Sequence, residues 1–189
     1  MRSDDLYSVP AGLPVPEDDG AARHLVGASM PAVELPATDG SRVRLDRLGP
    51  GRTVLYAYPR TGVPDRDSPP GWDEIPGARG CTPQNCSFRD HHAALRALGA
   101  GVFGLSTQDT AYQREMAERL HLPYPILSDA ALELTRALAL PTFVYGEWTL
   151  LRRLSMIVRD GRIEHVFYPV FPPDSDGPRV LAWIREASR

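Results

Sequence analysis

The residues of this chain best suited to chemistry are two cysteines five positions apart, Cys81 and Cys86, and the chain has no others. Cys81 follows a stretch rich in Gly, Pro and Asp, and Pro83 suits the first turn of a helix that begins there. Unpaired backbone N–H groups and the positive end of the helix dipole favour an anion at such a position. A thiolate is that anion, and cysteines at helix N-termini have lowered pKa values. We therefore predict that Cys81 is a reactive thiolate.

The spacing restricts how the two cysteines can pair. In an intact helix, Cα atoms five residues apart are separated by roughly 8–9 Å, whereas a disulfide needs less than about 7 Å. A bridge between Cys81 and Cys86 therefore requires the first helical turn to unwind, which is typical of a switchable catalytic bridge. The spacing also differs from the C-x-x-C pattern of thioredoxin-type reductases.

A metal site is an alternative use of the same residues. His91 and His92 follow the cysteines closely, but C-x4-C-x4-H is not an established zinc spacing. In a copper carrier that pairs two cysteines with a distant histidine, His165 is the candidate third ligand. We predict no metal and no other cofactor, and keep a Cys/His metal carrier as an alternative.

Composition excludes several classes of partner. A chain of 189 residues with 42% apolar residues fits a single folded domain. Its net charge of −3 does not provide the excess of positive charge that is typical of nucleic-acid-binding proteins. No apolar run approaches the roughly 18 residues that span a bilayer, and no apolar h-region follows the N-terminus. We expect a cytoplasmic protein without membrane or nucleic-acid partners, in which cysteines stay reduced unless they are catalytic.

The hydrophobic pattern predicts an α/β fold with a mixed sheet. Alternating residues around Asp39-Gly40 predict an N-terminal hairpin. The further predicted elements are strands over 53–58, 102–106 and 126–127, helices from 81, over 112–120 and over 130–139, a hairpin over 154–167 and a last helix around 180–184. We predict an extended arm over residues 1–25 and one domain over 26–189. Trp72 and the apolar loop 168–173 are expected to bury that arm rather than line a substrate entrance.

The segment 80–90, with Gly-Cys-Thr at its start and Phe-Arg-Asp at its end, resembles the peroxiredoxins of the bacterioferritin-comigratory-protein (PrxQ) type in the AhpC/TSA superfamily. These proteins carry C-x4-C in one helix. The order of segments over about residues 26–186 supports the resemblance: the hairpin at Asp39-Gly40, Tyr58-Pro59, the run 104–107, the run 127–129 and the segment 153–167.

This resemblance implies a thioredoxin-like fold with an N-terminal β-hairpin. It also implies that Cys81 attacks the O–O bond of a peroxide, that Arg153 approaches its sulfur, and that Cys86 forms a disulfide with it. We expect Tyr58, Pro59 and Thr82 to belong to the substrate pocket.

The implied chemistry agrees with the residue types. A guanidinium stays charged and can donate hydrogen bonds to a thiolate and to both peroxide oxygens. Attack leaves a sulfenic acid, which the second thiol converts to a disulfide. A thioredoxin-like reductant must then restore the thiols. Because no second subunit has to supply a cysteine, the resemblance permits a monomer or weak dimer.

One departure from the family pattern lies just before the first cysteine. The family has Thr or Ser three residues before it, whereas this chain has Ala78. Pro59 lies 22 residues before Cys81 instead of seven, so residues 60–75 resemble an insertion. The candidates for a replacement hydroxyl are Thr82, Thr61 and Ser68. A site without one would suit an alternative, a thiol–disulfide oxidoreductase that lacks peroxidase activity.

Overall fold

The centre of the chain is a five-stranded mixed sheet flanked by helices, in a computed structural model that describes residues 6–189. The strands are β1 (Glu34–Pro36), β2 (Arg42–Arg44), β3 (Arg52–Ala57), β4 (Gly101–Ser106), β5 (Ile126–Ser128), β6 (Thr142–Tyr145), β7 (Trp148–Leu151), β8 (Leu154–Arg159) and β9 (Arg162–Phe167). The helices are α1 (Cys81–Ala97), α2 (Thr110–Arg119), α3 (Glu133–Ala137) and α4 (Asp176–Ala187).

The central sheet has the strand order β5-β4-β3-β8-β9. Strands β3, β4 and β5 run parallel, while β8 and β9 complete the sheet in antiparallel pairs. Helix α1 is the crossover between β3 and β4, so the end of β3 and the start of α1 meet at one edge of the sheet. Two separate hairpins, β1-β2 and β6-β7, lie outside the central sheet.

Strand β3 divides the core into two layers because its side chains alternate between the faces of the sheet. Val54 and Tyr56 pack with apolar residues of α1, α2 and α4 on one face. Leu55 and Ala57 pack on the other face with the N-terminal segment and α3. The continuous apolar run predicted as a buried strand is therefore buried from both sides.

The predicted α/β class and the N-terminal hairpin are confirmed, since β1 and β2 pair around Asp39-Gly40. The second hairpin, β8-β9, turns at Asp160 and Gly161, both with positive φ. Two details differ from the sequence analysis. The helix expected over 130–139 is shorter, because Leu132 adopts a left-handed conformation at its start, and the β6-β7 hairpin was not predicted.

The N-terminal arm packs against the domain along its described part. Its first five residues lie outside the described residues. Leu25 is fully buried in the core, and Asp19 accepts a hydrogen bond from the hydroxyl of Tyr168 at 2.8 Å. Pro16 lies near Gly77, where an added Cβ would be 3.5 Å from its ring. The boundary between an arm and a domain at residue 25 stays a prediction. Within residues 6–189, no helix is long and apolar enough to cross a membrane.

Candidate active site

Cys81 is the first residue of α1, as the sequence predicted. Gly80 caps the helix with φ 99°, in the left-handed region that glycine tolerates best. A Cβ at Gly80 would also lie 2.6 Å from the ring of Pro173, so a larger residue would collide with the turn before α4. Cys81 is 3% exposed. The chain therefore makes a sharp turn at Gly80, and this turn places the nearly buried thiol of Cys81 at the N-terminus of α1.

Arg153 lies beside this thiol, in the connection between β7 and β8. Its Nη2 atom is 3.3 Å from the Sγ atom of Cys81. The same Nη2 atom lies 3.1–3.3 Å from three backbone carbonyl oxygens, those of Gly77, Ala78 and Arg79. Its two hydrogens are shared among these four acceptors. The side chain is 3% exposed, so a permanent positive charge stands next to the sulfur with little screening by water.

A second layer of polar side chains lies behind Arg153. Its Nη1 atom donates to Oε1 of Gln84, and Nε2 of Gln84 donates to Oδ2 of Asp176 at 2.7 Å. The hydroxyl of Ser155 donates to the same carboxylate oxygen at 2.7 Å. Asp176 is fully buried, and this burial raises the pKa of its carboxyl group.

The sequence analysis missed both Gln84 and Asp176. Gln84 carried a usable signal, because it lies three residues after Cys81 and so shares a helix face with it. Asp176 has no comparable indication in the sequence, because the last helix was predicted around residues 180–184 and Asp176 lies before that range.

Cys86 lies within the same helix, partly buried. Burial raises the pKa of its thiol, and the neighbouring Arg89 opposes that shift. Both cysteines are free thiols, and α1 is continuous from Cys81 to Ala97. The structure is therefore that of the dithiol form, in which the first turn of α1 is wound.

Asn85 holds that first turn closed. Its Nδ2 atom donates to the carbonyl of Cys81 at 2.8 Å, and its Oδ1 atom accepts from the hydroxyl of Tyr56 at 2.6 Å. The hydroxyl of Tyr124 donates to the backbone carbonyl of Asn85 at 3.0 Å. Unwinding the turn between the cysteines would break these buried contacts.

A cavity of about 120 Å³ adjoins Cys81. Most of its lining comes from the long loop 60–80. Three serine or threonine residues line it, namely Thr61, Ser68 and Thr82, and so do three arginines, Arg60, Arg66 and Arg79. The loop and the start of α1 thus provide all three of the hydroxyls considered as replacements for the one absent at Ala78.

Among the residues expected in the substrate pocket, Thr82 lines this cavity. Tyr58 lies in the buried layer near Cys81, and its hydroxyl donates to Oε1 of Gln113 at 2.8 Å. Burial and the proximity of the Cys81 sulfur raise the pKa of Tyr58 well above its ordinary value. The carbonyl of Pro59 accepts from the hydroxyl of Ser106. A role for Tyr58 and Pro59 in the pocket wall stays a prediction.

Loop 60–80 is fastened to the β6-β7 hairpin. Trp72 packs against Phe143 and Tyr145, with ring centroids 6.2 and 5.5 Å apart, and the hydroxyl of Tyr145 donates to the carbonyl of Pro70 at 2.6 Å. Trp72 also lines the cavity beside Cys81. The unpredicted hairpin therefore supplies packing partners of Trp72, and the expectation that Trp72 buries the N-terminal arm stays a prediction.

The histidines considered as metal ligands have other partners. Nδ1 of His91 lies 2.8 Å from the carbonyl of Ser87, and His165 stacks on Trp183 at 4.7 Å between ring centroids. Across residues 6–189, no three His, Cys, Asp or Glu side chains are grouped so as to hold a metal ion. This part of the chain gives the metal-carrier alternative no support.

Comparison with known proteins gives a consistent set of matches. The Redoxin family model matches residues 25–182. Peroxiredoxin Q, chloroplastic, from Gentiana triflora is 29% identical over 188 residues, which cover 96% of this chain and 79% of that protein. Peroxiredoxin Bcp from Escherichia coli K12 is 29% identical over 164 residues, which cover 85% of this chain and 95% of that protein.

Two solved structures have the same fold. Peroxidoxin BcpB from Mycobacterium tuberculosis matches with a TM-score of 0.68 and 26% identity, covering 85% of this chain and 96% of that one. Peroxiredoxin Q from Xanthomonas campestris matches with a TM-score of 0.66 and 20% identity, covering 95% and 99%. The residues matched by the Redoxin family model, 25–182, include both cysteines and Arg153.

Proposed function

This chain belongs to the Redoxin family, and we propose that it is a thiol-dependent peroxidase that reduces hydrogen peroxide and organic hydroperoxides at Cys81. The observation that carries the proposal is the 3.3 Å distance between Nη2 of Arg153 and Sγ of Cys81, at the start of α1 and beside an accessible cavity. The relatives named peroxiredoxin in plants and bacteria support the same activity.

In the first step, the thiolate of Cys81 attacks one peroxide oxygen along the O–O bond. An S–O bond forms, the O–O bond breaks, and the leaving oxygen takes a proton to become water or an alcohol. Cys81 is left as a sulfenic acid. The guanidinium of Arg153 stabilises both the thiolate and the charge that develops on the peroxide oxygens. Its bonds to the backbone carbonyls hold it in place before substrate arrives.

In the second step, the sulfur of Cys86 attacks the sulfenic sulfur, the S–O bond breaks, and the departing hydroxide takes the proton of the Cys86 thiol to leave as water. A Cys81–Cys86 disulfide forms. The Cα separation in the wound helix, roughly 8–9 Å, exceeds disulfide reach, so the turn held by Asn85 must open. A thioredoxin-like dithiol then reduces the bridge by exchange and is itself oxidised. We include the thioredoxin-like reductant, the monomeric or weakly dimeric state and the cytoplasmic location in the proposal.

The hydroxyl missing at Ala78 is supplied, in this proposal, by the lining of the cavity. Thr82 is the strongest candidate because it lines the cavity and directly follows Cys81 in the first turn of α1. A hydroxyl there can accept from a hydroperoxide O–H or donate to the oxygen under attack.

Stopped-flow mixing of the reduced protein with hydrogen peroxide tests the function. We expect fast, stoichiometric oxidation in the wild type, which Cys81→Ser abolishes. A reduced protein that does not react with peroxide but exchanges readily with disulfide substrates would refute the proposed peroxidase activity. That result would favour the alternative suggested by Ala78, a thiol–disulfide oxidoreductase.

A further inference from the structure

We propose that Asp176 is a positioning residue for this reaction, which fixes the amide of Gln84 and thereby the guanidinium of Arg153 beside Cys81. The inference rests on the proposed function, because it names a residue that supports the thiol-peroxide step. Within residues 6–189, Asp176 forms no hydrogen bond with Cys81.

The Gln84 amide has two chemically different ends, and each faces a different neighbour. Its NH₂ group donates to the Asp176 carboxylate at 2.7 Å, and its carbonyl oxygen accepts from Nη1 of Arg153. The reversed amide would set an oxygen against the carboxylate and an NH₂ group against the guanidinium, which are two repulsive contacts. Since Gln84 is fully buried, water cannot relieve them. The carboxylate therefore selects the orientation in which Gln84 holds Arg153.

The carboxylate is itself held in place. Oδ2 of Asp176 accepts from Gln84 and from the hydroxyl of Ser155 on β8, both at 2.7 Å. The next residue, Gly177, donates its backbone N–H to Oγ of Ser87 at 3.0 Å. A Cβ at Gly177 would lie 2.7 Å from the carbonyl oxygen of Ser87, so only glycine permits this approach of α4 to α1.

The network also gives Arg153 a partner that does not depend on the thiolate. Arg153 is a nearly buried cation, and a buried charge is costly without hydrogen-bond partners. The Cys81 thiolate supplies negative charge only until it becomes a sulfenic acid. The carbonyl oxygen of Gln84, whose amide Asp176 orients, accepts from Nη1 of Arg153 and is not consumed in that step.

The test compares full-length variants by their rate constants for oxidation with hydrogen peroxide. Asp176→Asn retains an oxygen that can accept from Gln84, so we expect a rate within about threefold of the wild type. Asp176→Leu removes the acceptor, and we expect a loss of about tenfold, as for a buried hydrogen bond to a charged group. In a Gln84→Met background, where the amide is absent, Asp176→Leu should add no further loss.

The matched control is Asp129→Leu. Asp129 is also a fully buried carboxylate, but it accepts from residues 134 and 135 of α3. We expect Asp129→Leu to lower the melting temperature while leaving the oxidation rate unchanged. If Asp176→Leu does not fold, Asp176→Ala takes its place in the series.

Three results would overturn the inference. They are a wild-type rate in Asp176→Leu, an equal loss in Asp176→Asn and Asp176→Leu, or an added loss in the Gln84→Met background. Alkylation of Cys81 by iodoacetamide, measured in a Cys86→Ser background, involves no peroxide. If the wild type fails to react with peroxide, the proposed function fails, while a slower alkylation in Asp176→Leu still supports the network and an unchanged one refutes it.

Discussion

The guanidinium of Arg153 joins the Cys81 sulfur and the backbone that leads to it. One nitrogen, Nη2, lies within 3.3 Å of Sγ of Cys81 and of the carbonyl oxygens of residues 77, 78 and 79. The conformation of this loop end and the electrostatics of the thiol are therefore set by the same side chain.

Replacing Arg153 should remove most of the rate. We expect Arg153→Met to slow oxidation of Cys81 by a factor of about 100 or more, the usual cost of losing a preorganised donor to developing charge. The matched control is Arg152→Met, because Arg152 has the same charge but donates to the carbonyl of Thr142 and packs on Phe143. Stopped-flow rates for both variants make the comparison. Equal losses would show that the effect is one of overall charge.

The two cysteines should have different roles. We expect Cys81→Ser to consume no peroxide, because Cys81, and not Cys86, is the first residue of α1 and lies beside Arg153. Cys86→Ser should complete one oxidation per chain and then stop turning over with a thioredoxin system. Peroxide consumption and sulfenic-acid trapping with mass detection provide the measurements. Retained first oxidation in Cys81→Ser would reverse the assignment.

The Thr82 hydroxyl should contribute to the first step. We expect Thr82→Val to lower the rate with hydrogen peroxide about tenfold, since one hydrogen bond in a buried site is worth roughly that factor. Thr107→Val is the control, because Thr107 donates to the carbonyl of Thr149, outside the cavity beside Cys81. A wild-type rate in Thr82→Val would leave Thr61 and Ser68 as the candidate hydroxyls.

Oxidation should unwind the start of α1. We expect faster amide hydrogen exchange over residues 81–88 in the disulfide form than in the dithiol form, because the contacts of Asn85 with Cys81 and Tyr56 must break. The Cys86→Ser variant cannot form the disulfide, so its amides over residues 81–88 should exchange as slowly after peroxide treatment as before it. Equal protection in both redox forms, with the disulfide verified by mass, would contradict this mechanism.

The dithiol form should lose stability at alkaline pH. Burial raises the pKa of Cys86 in the folded state, so the folded state holds its proton more tightly than the unfolded state does. The folded state is therefore favoured by the protonated thiol, and this contribution to the free energy of unfolding is complete below the ordinary thiol pKa of about 8.5. It is lost as the pH rises above that value, because the thiol of the unfolded chain then ionises more readily. We expect the free energy of unfolding to fall between pH 7.5 and 9.5 by more in the wild type than in Cys86→Ser. An identical fall in both proteins, by urea titration, would show that Cys86 does not contribute.

Local chemistry explains which elements were predictable. The hairpins at Asp39-Gly40 and Asp160-Gly161 follow from turn residues, and the start of α1 follows from Gly80 and Pro83. These signals act over a few residues, so tertiary packing does not have to be known.

The pairing of Arg153 with Cys81 has no such local signal. The two residues are 72 positions apart, and in the sequence only the family resemblance connects them. Gln84 and Asp176 are 92 positions apart. Their contact depends on how closely α4 approaches α1, which no periodicity in either segment encodes. The packing of Trp72 on the β6-β7 hairpin is likewise a tertiary contact.

Loop 60–80 leaves the sheet after Pro59 and returns at the start of α1, so its two ends belong to one βα connection. The entropy of closing a loop rises slowly with length, by only about 0.6 kcal/mol per doubling. Residues can be gained or lost before Gly77 at little entropic cost, whereas residues 77–79 must stay in place because their carbonyls bind Arg153. This connection is therefore the part of the chain where evolution, or an engineer, can reshape the cavity beside Cys81 while Cys81 and Arg153 keep their positions.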